Sequence, residues 1–196
     1  MKILAIADQE SRFLWDYYQP GMLDDIDLIL SAGDLDSAYL SFLVTMAHAP
    51  LLYIHGNHDT HYEKKAPEGC ICIEDSIYSY QGVRILGLGG SMRYKPGPHQ
   101  YSEWQMRRRL MKLTFPLLYH GGFDILLTHA PARGFHDGKD LPHHGFQIFN
   151  TLIERYEPAY HIHGHVHKNY GRDFHRLDHN HKTSVINAYE RYLFDF

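Results

Sequence analysis

Five short polar clusters along the chain carry side chains of the kinds that bind metal ions, and each cluster follows directly on an apolar run. The clusters are Asp8-Gln9-Glu10, Gly33-Asp34, Gly56-Asn57-His58-Asp59, His129 and His165-Val166-His167. Carboxylate oxygens, an amide oxygen and neutral imidazole nitrogens form the mixed oxygen and nitrogen set that suits Mn, Fe or Zn rather than a thiolate site. The residue types therefore predict a metal centre assembled from distant parts of the chain.

The histidine content points the same way. The chain of 196 residues contains 17 histidines, and 13 of them fall between His99 and His181. Folding does not require so many imidazoles, and imidazole is the commonest protein ligand for transition metals. The surplus favours a metal site without locating it.

The apolar runs ahead of the clusters are typical of buried strands. We predict such strands at 2–7, 27–31, 51–55, 124–128 and Tyr160–His163. Helical spacing predicts helices at 11–18, Ser37–Ala47, 101–119 and 146–156. Further short strands are predicted at 71–73, Ser76–Tyr80, 83–86, 183–188 and 191–194. Alternating strands and helices predict a mostly parallel sheet, in which the carboxyl ends of the strands meet at one edge. All five clusters should therefore point at that edge.

Three glycines accompany the clusters. Gly33, Gly56 and Gly164 lie where a strand must turn sharply, and a β-carbon at these positions could obstruct an ion or a phosphate. We interpret them both as turn residues and as residues that keep room for a ligand.

In this order the clusters resemble the signature of the calcineurin-like metallophosphoesterases. That signature runs from Asp-x-His through Gly-Asp and Gly-Asn-His-Asp/Glu to a lone His and Gly-His-x-His, and the match covers almost the whole chain. The resemblance implies an α/β fold, a four-layer α/β/β/α sandwich of two mixed sheets flanked by helices. We expect residues 1–196 to form a single domain of this kind.

The resemblance also implies a site with two divalent or trivalent metal ions, with Mn, Fe or Zn as the candidates. Asp34 would bridge the two ions. The remaining ligands would be Asp8 and His167 for the first ion, and Asn57, His129 and His165 for the second.

The implied reaction is an in-line attack on phosphorus by a hydroxide that bridges the two ions. His58 matches the family's catalytic histidine, which would protonate the leaving oxygen or stabilise its charge. Asp36 and Asp59 both stand close enough in sequence to orient the His58 imidazole, and the sequence leaves both open.

The sequence departs from the family signature at Glu10, where the family usually has His. Glu10 could bind the first metal through oxygen, it could point away and leave that metal with fewer ligands, or the protein could work with one tightly held ion. We favour Glu10 as a ligand.

Several other residues are candidates for weaker reasons. Arg93 follows a glycine-rich loop and is a candidate phosphate contact. The residues after His129 that could face a substrate are His136, Asp137, His143 and His144. We interpret His161 and His163 as packing residues or as supports for the ligands. The basic run 107–109 is interpreted as a solvated helix face rather than a substrate site.

The composition limits the classes of partner. A formal charge of −4 offers no general attraction for phosphate backbones, which argues against long nucleic acid. No apolar stretch is long enough to span a membrane, and the first residues do not resemble a secretory signal, so we expect a cytoplasmic protein without a membrane partner. Cys70 and Cys72 lie two apart in a predicted strand, which is poor disulfide geometry, and we expect both to be reduced.

The leading hypothesis is metal-dependent hydrolysis of phosphate mono- or diesters, with a small molecule or nucleotide as the substrate. One alternative is a protein-interaction module on the same fold, for which the presence of His58 is the contrary feature. The other is a nuclease, which would require a basic groove; the run 107–109 is the one basic cluster that we identify.

Overall fold

The computed structural model describes residues 1–167 and 176–196. In these ranges the strands are β1 (Lys2–Ile6), β2 (Leu28–Ser31), β3 (Leu51–Tyr53), β4 (Ile71–Cys72), β5 (Ser76–Tyr80), β6 (Val83–Leu88), β7 (Ser91–Met92), β8 (Gln100–Tyr101), β9 (Ile125–Thr128), β10 (Tyr160–His163), β11 (Leu177–Asn180), β12 (Thr183–Asn187) and β13 (Tyr192–Asp195). The α-helices are α1 (Ser37–Ala47), α2 (Glu103–Lys112), α3 (Thr114–His120) and α4 (Gln147–Tyr156). Short 3₁₀ turns occupy Asp59–Glu63 and Leu141–His143.

The strands form two mixed sheets. The first sheet has the order β13-β1-β2-β3-β4, in which only β13 runs antiparallel to its neighbour. The second has the order β11-β12-β10-β9-β6-β5, with a parallel centre and an antiparallel strand at each edge. Strands β7 and β8 form a separate small pair.

Three apolar layers separate four layers of structure. One lies between the two sheets and includes Ile3 and Leu30 from the first sheet and Leu127 from the second. Another lies between the first sheet and α1, and the third lies between the second sheet and α2, α3 and α4. The predicted four-layer sandwich is therefore confirmed. Its central strands are apolar on both faces because both faces are covered.

The parallel centres of both sheets explain how distant clusters converge. Asp8, Asp34 and Asn57 follow β1, β2 and β3, which are consecutive and parallel in the first sheet. His129 and His165 follow β9 and β10, which are parallel neighbours in the second sheet. The carboxyl ends of these strands therefore present the clusters on one side of the fold.

The helix predicted at 11–18 is wrong, because the segment forms a series of turns. The amides of Leu14 and Trp15 both bond to the carbonyl of Ser11, and the pattern does not continue as a helix. Leu14 is buried, whereas Phe13 and Trp15 are 46% and 37% exposed. A short segment in which only Ser11 and Leu14 are buried gains too little from packing to offset the cost of helix nucleation.

The single helix predicted at 101–119 is also wrong in detail, because two helices meet at Leu113. Ser102 and Gln105 form a capping box that starts α2. Pro116 falls in the first turn of α3, where its missing N–H costs no helical hydrogen bond. Restarting the helix at Thr114 is what accommodates the proline.

The basic run 107–109 is only partly a solvated face. Arg107 pairs with Glu103 at 3.5 Å, and the Arg108 guanidinium lies 4.9 Å from the centre of the Trp104 ring. Arg109 is buried, because the side of α2 that carries it packs toward the second sheet. The solvated-face interpretation is therefore wrong for Arg109.

Other local predictions fare differently. Helix α1 has the predicted bounds, and the turn at Gln81-Gly82 joins β5 to β6 with positive φ at both residues. Edge strand β11 was not predicted, because Leu177, Asp178 and His179 are exposed and form no apolar run. Cys70 and Cys72 are both free thiols, as expected. No α-helix among the described residues is long and apolar enough to cross a bilayer.

Candidate metal centre

Three predicted ligands come together at the edge shared by the two sheets. One potential ligand atom from each of Asp34, His129 and His165 lies within 4.8 Å of the other two. His129 and His165 are buried, and only 10% of the Asp34 side chain is exposed. A carboxylate and two imidazoles in this arrangement fit one transition-metal ion.

The His129 ring shows why a cation belongs there. Its Nδ1 lies 2.8 Å from the carbonyl oxygen of Ala32, so Nδ1 carries the proton that makes this hydrogen bond. Nε2 of the neutral ring then has only a lone pair, yet it lies 3.0 Å from Asn57 Oδ1 and 3.3 Å from Asp34 Oδ2. Three electron-rich atoms therefore lie close together, and either an extra proton or a metal ion must offset their mutual repulsion.

The pKa values of Asp34 and His129 reflect the close contact of these two groups. Burial favours the uncharged form of each group, but their mutual attraction outweighs it. The pKa of His129 therefore rises to about 9, and the pKa of Asp34 falls below its usual range. In the metal-free chain a proton on His129 supplies the positive charge that an ion would bring.

His165 is prepared as a neutral ligand. Its Nε2 lies 2.8 Å from the carbonyl oxygen of Pro142, which leaves the lone pair on Nδ1. Burial, and then the neighbouring His129, lower the pKa of His165 to about 3. Its ring centre lies 4.9 Å from that of His129. The uncharged imidazole is the form that binds metal.

The predicted first metal site lies beside this group. The Asp8 side chain is fully buried, and both of its carboxylate oxygens accept from the backbone N–H of His165, at 2.9 and 2.8 Å. His167 Nε2 lies 3.5 Å from Asp8 Oδ1. The structure therefore brings Asp8 and His167 together, as the family resemblance implies.

Glu10 takes a different hydrogen bond. Its Oε1 accepts from the backbone N–H of Asp36 at 2.9 Å, and the side chain lines a cleft of about 630 Å³. Ligation by Glu10 stays a prediction. The contact with Asp36 explains why a carboxylate, which accepts from a backbone N–H, is accommodated at this position.

His58 is exposed beside the metal ligands, and its backbone N–H donates to Asp34 Oδ1 at 2.7 Å. Neither predicted orienting residue hydrogen-bonds to its imidazole within residues 1–167 and 176–196. Asp36 caps α1 by accepting from the N–H of Ala38 at 2.7 Å. Asp59 Oδ2 instead accepts from the backbone N–H groups of Asp34 and Gly56.

Asp59 therefore acts on the loops rather than on His58. Its bonds of 2.8 Å to Asp34 and 2.7 Å to Gly56 tie the turn after β2 to the turn after β3. Burial and the charge of Asp34 raise the pKa of Asp59 to about 6. The sequence suggested a carboxylate that orients a histidine, whereas the fold uses it to hold two ligand-bearing turns together.

The glycines keep the clusters close. A β-carbon on Gly164 would lie 2.6 Å from Asp8 Oδ2, and one on Gly56 would collide with the Asp34 carboxylate. Gly33 has φ +94°, a conformation that disfavours any β-carbon. Their interpretation as residues of tight turns is confirmed, and the room that they would keep for a ligand stays a prediction.

The loop after His129 covers one side of the centre. His143 Nδ1 lies 2.6 Å from Asp140 Oδ2, and the His143 ring centre lies 5.2 Å from that of His165. His136 Nδ1 lies 2.8 Å from His163 Nε2, which ties the loop to β10. His163 thus supports the site without facing it, as predicted.

The remaining candidates from this part of the sequence contact other groups. Asp137 accepts from the backbone N–H of Gly134 at 2.9 Å, and His144 Nε2 lies 2.8 Å from the carbonyl of Lys139. Arg93 is exposed, and it reaches the carbonyl of Gln100 at 3.4 Å. The substrate contact predicted for Arg93 stays a prediction.

His161 is fully buried in the second sheet, and its Nε2 lies 2.8 Å from Thr128 Oγ1. Burial lowers its pKa to about 3, so the ring is neutral. Its interpretation as a packing residue agrees with this position.

Two features of the site were not predicted from the sequence. The carbonyl groups of Ala32 and Pro142 select the tautomers of His129 and His165, and main-chain groups carry no signal in a residue pattern. The partner of His143 is the other. The spacing of Asp140 and His143 could have indicated it, because the two residues are three positions apart in the sequence.

Comparison with known proteins places the chain. The family model described as calcineurin-like phosphoesterase matches residues 7–169. Metallophosphoesterase domain-containing protein 1 of Homo sapiens is 30% identical over 112 residues, which take in 52% of this chain and 31% of that protein. A UPF0046 protein of Caenorhabditis elegans is 23% identical over 201 residues, which take in 85% of this chain and 68% of that protein. The match therefore spans about a third of the length of the human relative.

A solved structure, TT1561 of Thermus thermophilus, shares the fold. Its TM-score is 0.64 at 18% identity, and the superposition covers 96% of this chain and 89% of that one. The family match reaches from the residue before Asp8 to beyond His167, and thus includes all the clusters. On the combined evidence of motif order, fold and family match, the chain belongs to the calcineurin-like phosphoesterase family.

Proposed function

We propose that this chain hydrolyses phosphate mono- or diesters of small molecules or nucleotides at a two-metal centre, with His58 assisting the leaving group. The observation that carries the proposal is that His129 Nε2 lies 3.0 Å from Asn57 Oδ1 and 3.3 Å from Asp34 Oδ2. Such a buried set of electron-rich atoms requires a positive charge, which a proton on His129 supplies in the free chain and a metal ion would supply in its place. Membership of the family supports metal-dependent phosphoester hydrolysis in general.

When bound, the ions supply a water acidic enough to ionise near neutral pH and a positive clamp for phosphoryl oxygens. The chain supplies the rest. Buried Asp8, Asp34, Asn57, His129 and His165 fix the ligand positions, and His167 completes the side next to Asp8. Main-chain carbonyls hold the imidazoles in the metal-binding tautomer.

The exposure of His58 supports a role in proton transfer. It is exposed, so its ring can meet a substrate, while its own backbone N–H is anchored to Asp34. A proton donated from this imidazole to the departing oxygen would remove the need to expel an alkoxide.

The open cleft beside Glu10 has room for the leaving group of a small substrate. It has a volume of about 630 Å³ and is lined by Gln9, Glu10, Arg12, Trp15, Asp16, Asp36 and Ala38. A volume in this range is that of ordinary small-molecule sites. Its carboxylates disfavour a polyanion, which agrees with the net charge of −4.

The test is a turnover screen with Mn, Fe, Zn and Mg against phosphomonoesters, phosphodiesters and cyclic nucleotides. We expect turnover with at least one metal. Asp34→Asn should lower it more than about 100-fold, beyond the loss typical of groups that only support a ligand. Asp25→Asn is the matched control, because Asp25 is an exposed partner of Lys2.

Absence of turnover with a protein shown to bind the metal would contradict the proposal and favour the interaction module. Binding to DNA or RNA that weakens steeply with salt, together with cleavage, would favour the nuclease instead. We expect neither.

A further inference from the structure

Helices α2 and α3 are apolar on two opposite sides. Met106, Leu113 and Leu117 are buried against the second sheet, at 0%, 3% and 7% exposure, and they form the inner side. A surface helix of a globular protein normally has one such side and a polar opposite side. The second apolar side therefore calls for an explanation.

That second side, the outer stripe, is strongly exposed. It consists of Trp104 (62%), Met111 (73%), Phe115 (82%), Leu118 (71%) and Tyr119 (87%). A helix turns by about 100° per residue, so Trp104 and Met111 lie on one face of α2, and Phe115 and Leu118 lie on one face of α3. Both faces are exposed, whereas the inner side is buried. Single exposed apolar residues are ordinary, but five large ones on two successive helices indicate an interaction surface.

Cationic residues accompany the outer stripe. Arg108 lies over the Trp104 ring at 4.9 Å, and Lys112 follows one turn later on the same flank. Both line a cavity of about 160 Å³ together with Tyr101, Gln105 and Arg109. Arg109 already binds Glu74, Asp75 and the carbonyl of Gly89, so Arg108 and Lys112 are the groups that can receive an anion there.

We propose that α2 and α3 dock on a membrane surface that contains anionic phospholipids. The outer stripe would enter the interface between headgroups and acyl chains, and Arg108 and Lys112 would contact lipid phosphates. The proposal does not depend on the catalytic one, because it rests on a surface built by other residues.

The order of residues along the helices suits a bilayer surface. Trp104 and Tyr119 stand near the two ends, and Met111, Phe115 and Leu118 lie between them along the chain. Apolar and aromatic residues on one side with Lys and Arg beside them are the composition of helices that lie in the membrane interface. None of the described helices could cross a bilayer, so the contact would be peripheral.

The charges disfavour a second copy of the chain as the occupant. A two-fold dimer through this surface would gather Arg108 and Lys112 of both copies at one interface, where their like charges repel. An anionic surface meets these residues with the opposite charge. Because the chain as a whole carries −4, the contact should depend on these local cations and weaken with salt.

The test is co-sedimentation of the full chain with vesicles of phosphatidylcholine alone and of phosphatidylcholine mixed with phosphatidylserine. We expect binding only to the mixed vesicles. The chain has two tryptophans, so Trp15→Phe leaves Trp104 as the single reporter, and its emission should shift to shorter wavelength on binding.

Two pairs of variants identify the surface. Phe115→Glu with Leu118→Glu should abolish binding, whereas Leu193→Glu, at a 54% exposed apolar position elsewhere, should not. Arg108→Gln with Lys112→Gln should lower the partition coefficient about 30-fold, since each cation near an anionic surface contributes about fivefold. Lys64→Gln with Lys65→Gln is the matched control for charge.

All variants should keep the wild-type circular dichroism and thermal midpoint. Equal binding to both kinds of vesicle, or binding that ignores the stripe variants, would overturn the proposal. A folded protein that binds no vesicles would also overturn it and leave an acidic protein as the occupant. So would a dimer in sedimentation velocity that Phe115→Glu with Leu118→Glu converts to a monomer.

Discussion

At the scale of single residues, the centre is built on unusual backbone conformations. Asp8, Asp34 and His165 have φ values of 65°, 58° and 68°, which non-glycine residues rarely adopt. Each such residue costs on the order of 1–3 kcal/mol, which surrounding contacts must offset. The amide of Asp34 bonds to Asp59, and the amide of His165 bonds to Asp8. The side chains of Asp59 and Asp8 therefore stabilise these turns without a metal.

His58→Ala tests the residue with the clearest chemical role. We expect turnover to fall by about 10²–10⁴-fold, because a positioned proton donor contributes that much, while metal affinity stays the same. Steady-state kinetics and metal titration of the same sample measure both. The anchor to Asp34 uses the backbone of His58 and survives the substitution. Turnover equal to the wild type would remove His58 from the mechanism.

At the scale of elements, an ion cluster around the buried Arg109 holds α2 against the sheets. Arg109 donates to Asp75 at 2.8 Å and to the carbonyl of Gly89 at 2.7 Å, and it pairs with Glu74. Glu74 in turn accepts from the backbone N–H groups of His55 and Gly89, both at 3.0 Å. The cluster thus connects the helix to the segment just before Gly56. It helps to place a ligand-bearing turn from a distance.

Arg109→Ala should lower the free energy of unfolding by about 2–3 kcal/mol, because it removes a nearly buried cation and leaves Glu74 with only His55 and two backbone N–H groups as partners. Urea unfolding followed by circular dichroism measures the change. Arg107→Ala is the control, since Arg107 makes an exposed pair with Glu103 and should change stability by less than about 0.5 kcal/mol. Equal effects of the two variants would contradict the role of Arg109.

A second element contact makes stability depend on pH. Arg84 donates hydrogen bonds to the Asp124 carboxylate from Nε at 2.9 Å and from Nη2 at 2.6 Å. These bonds link the starts of β6 and β9. The side-chain hydrogen bond from Arg84 holds the pKa of Asp124 below its usual range. The carboxylate is then more acidic in the folded chain than in the unfolded one. Its stabilising contribution is complete above the unfolded pKa and is lost as pH falls through the folded pKa.

Asp124→Asn should therefore destabilise the fold by about 1 kcal/mol near neutral pH, a value that allows for solvent screening of this partly exposed pair. The difference from the wild type should shrink below about pH 4, where the wild-type carboxylate becomes protonated. Urea unfolding at the two pH values measures it. A difference that grows on acidification would show that the sign is wrong.

At the scale of the whole molecule, the metal centre joins the two sheets. Asp34 and Asn57 follow strands of the first sheet, whereas His129 and His165 follow strands of the second. An ion held by all four would be bound only when both sheets are in place. On the proposed function, metal binding and folding of the chain should therefore be coupled.

We expect added Mn or Zn to raise the thermal midpoint and a chelator to lower it. A free metal concentration about 100-fold above the dissociation constant would add about 2.7 kcal/mol to the free energy of unfolding. Scanning calorimetry with and without chelator measures the shift. His129→Ala should abolish the metal-dependent part, and a shift that survives this substitution would place the ion elsewhere.

Much of the site was predictable because its signals are local. Clusters at the ends of apolar runs, and glycines next to them, are short patterns whose meaning depends on strand geometry alone. Glu10 shows the limit of such patterns. Its charge and spacing suit a metal ligand, but its contact with Asp36 depends on how two turns from different strands approach each other.

The sequence by itself determined the family, the strands that carry the ligands and the order in which the ligands occur. The tertiary structure decided which side of a repeating pattern faces inward. Trp104, Met111 and Leu118 share one helical face in the sequence, yet this face is exposed, and Met106 and Leu117 pack inside. Periodicity shows that residues lie on the same side of a helix, because it reflects local geometry. It does not show what that side meets, because this depends on contacts between elements far apart in the chain.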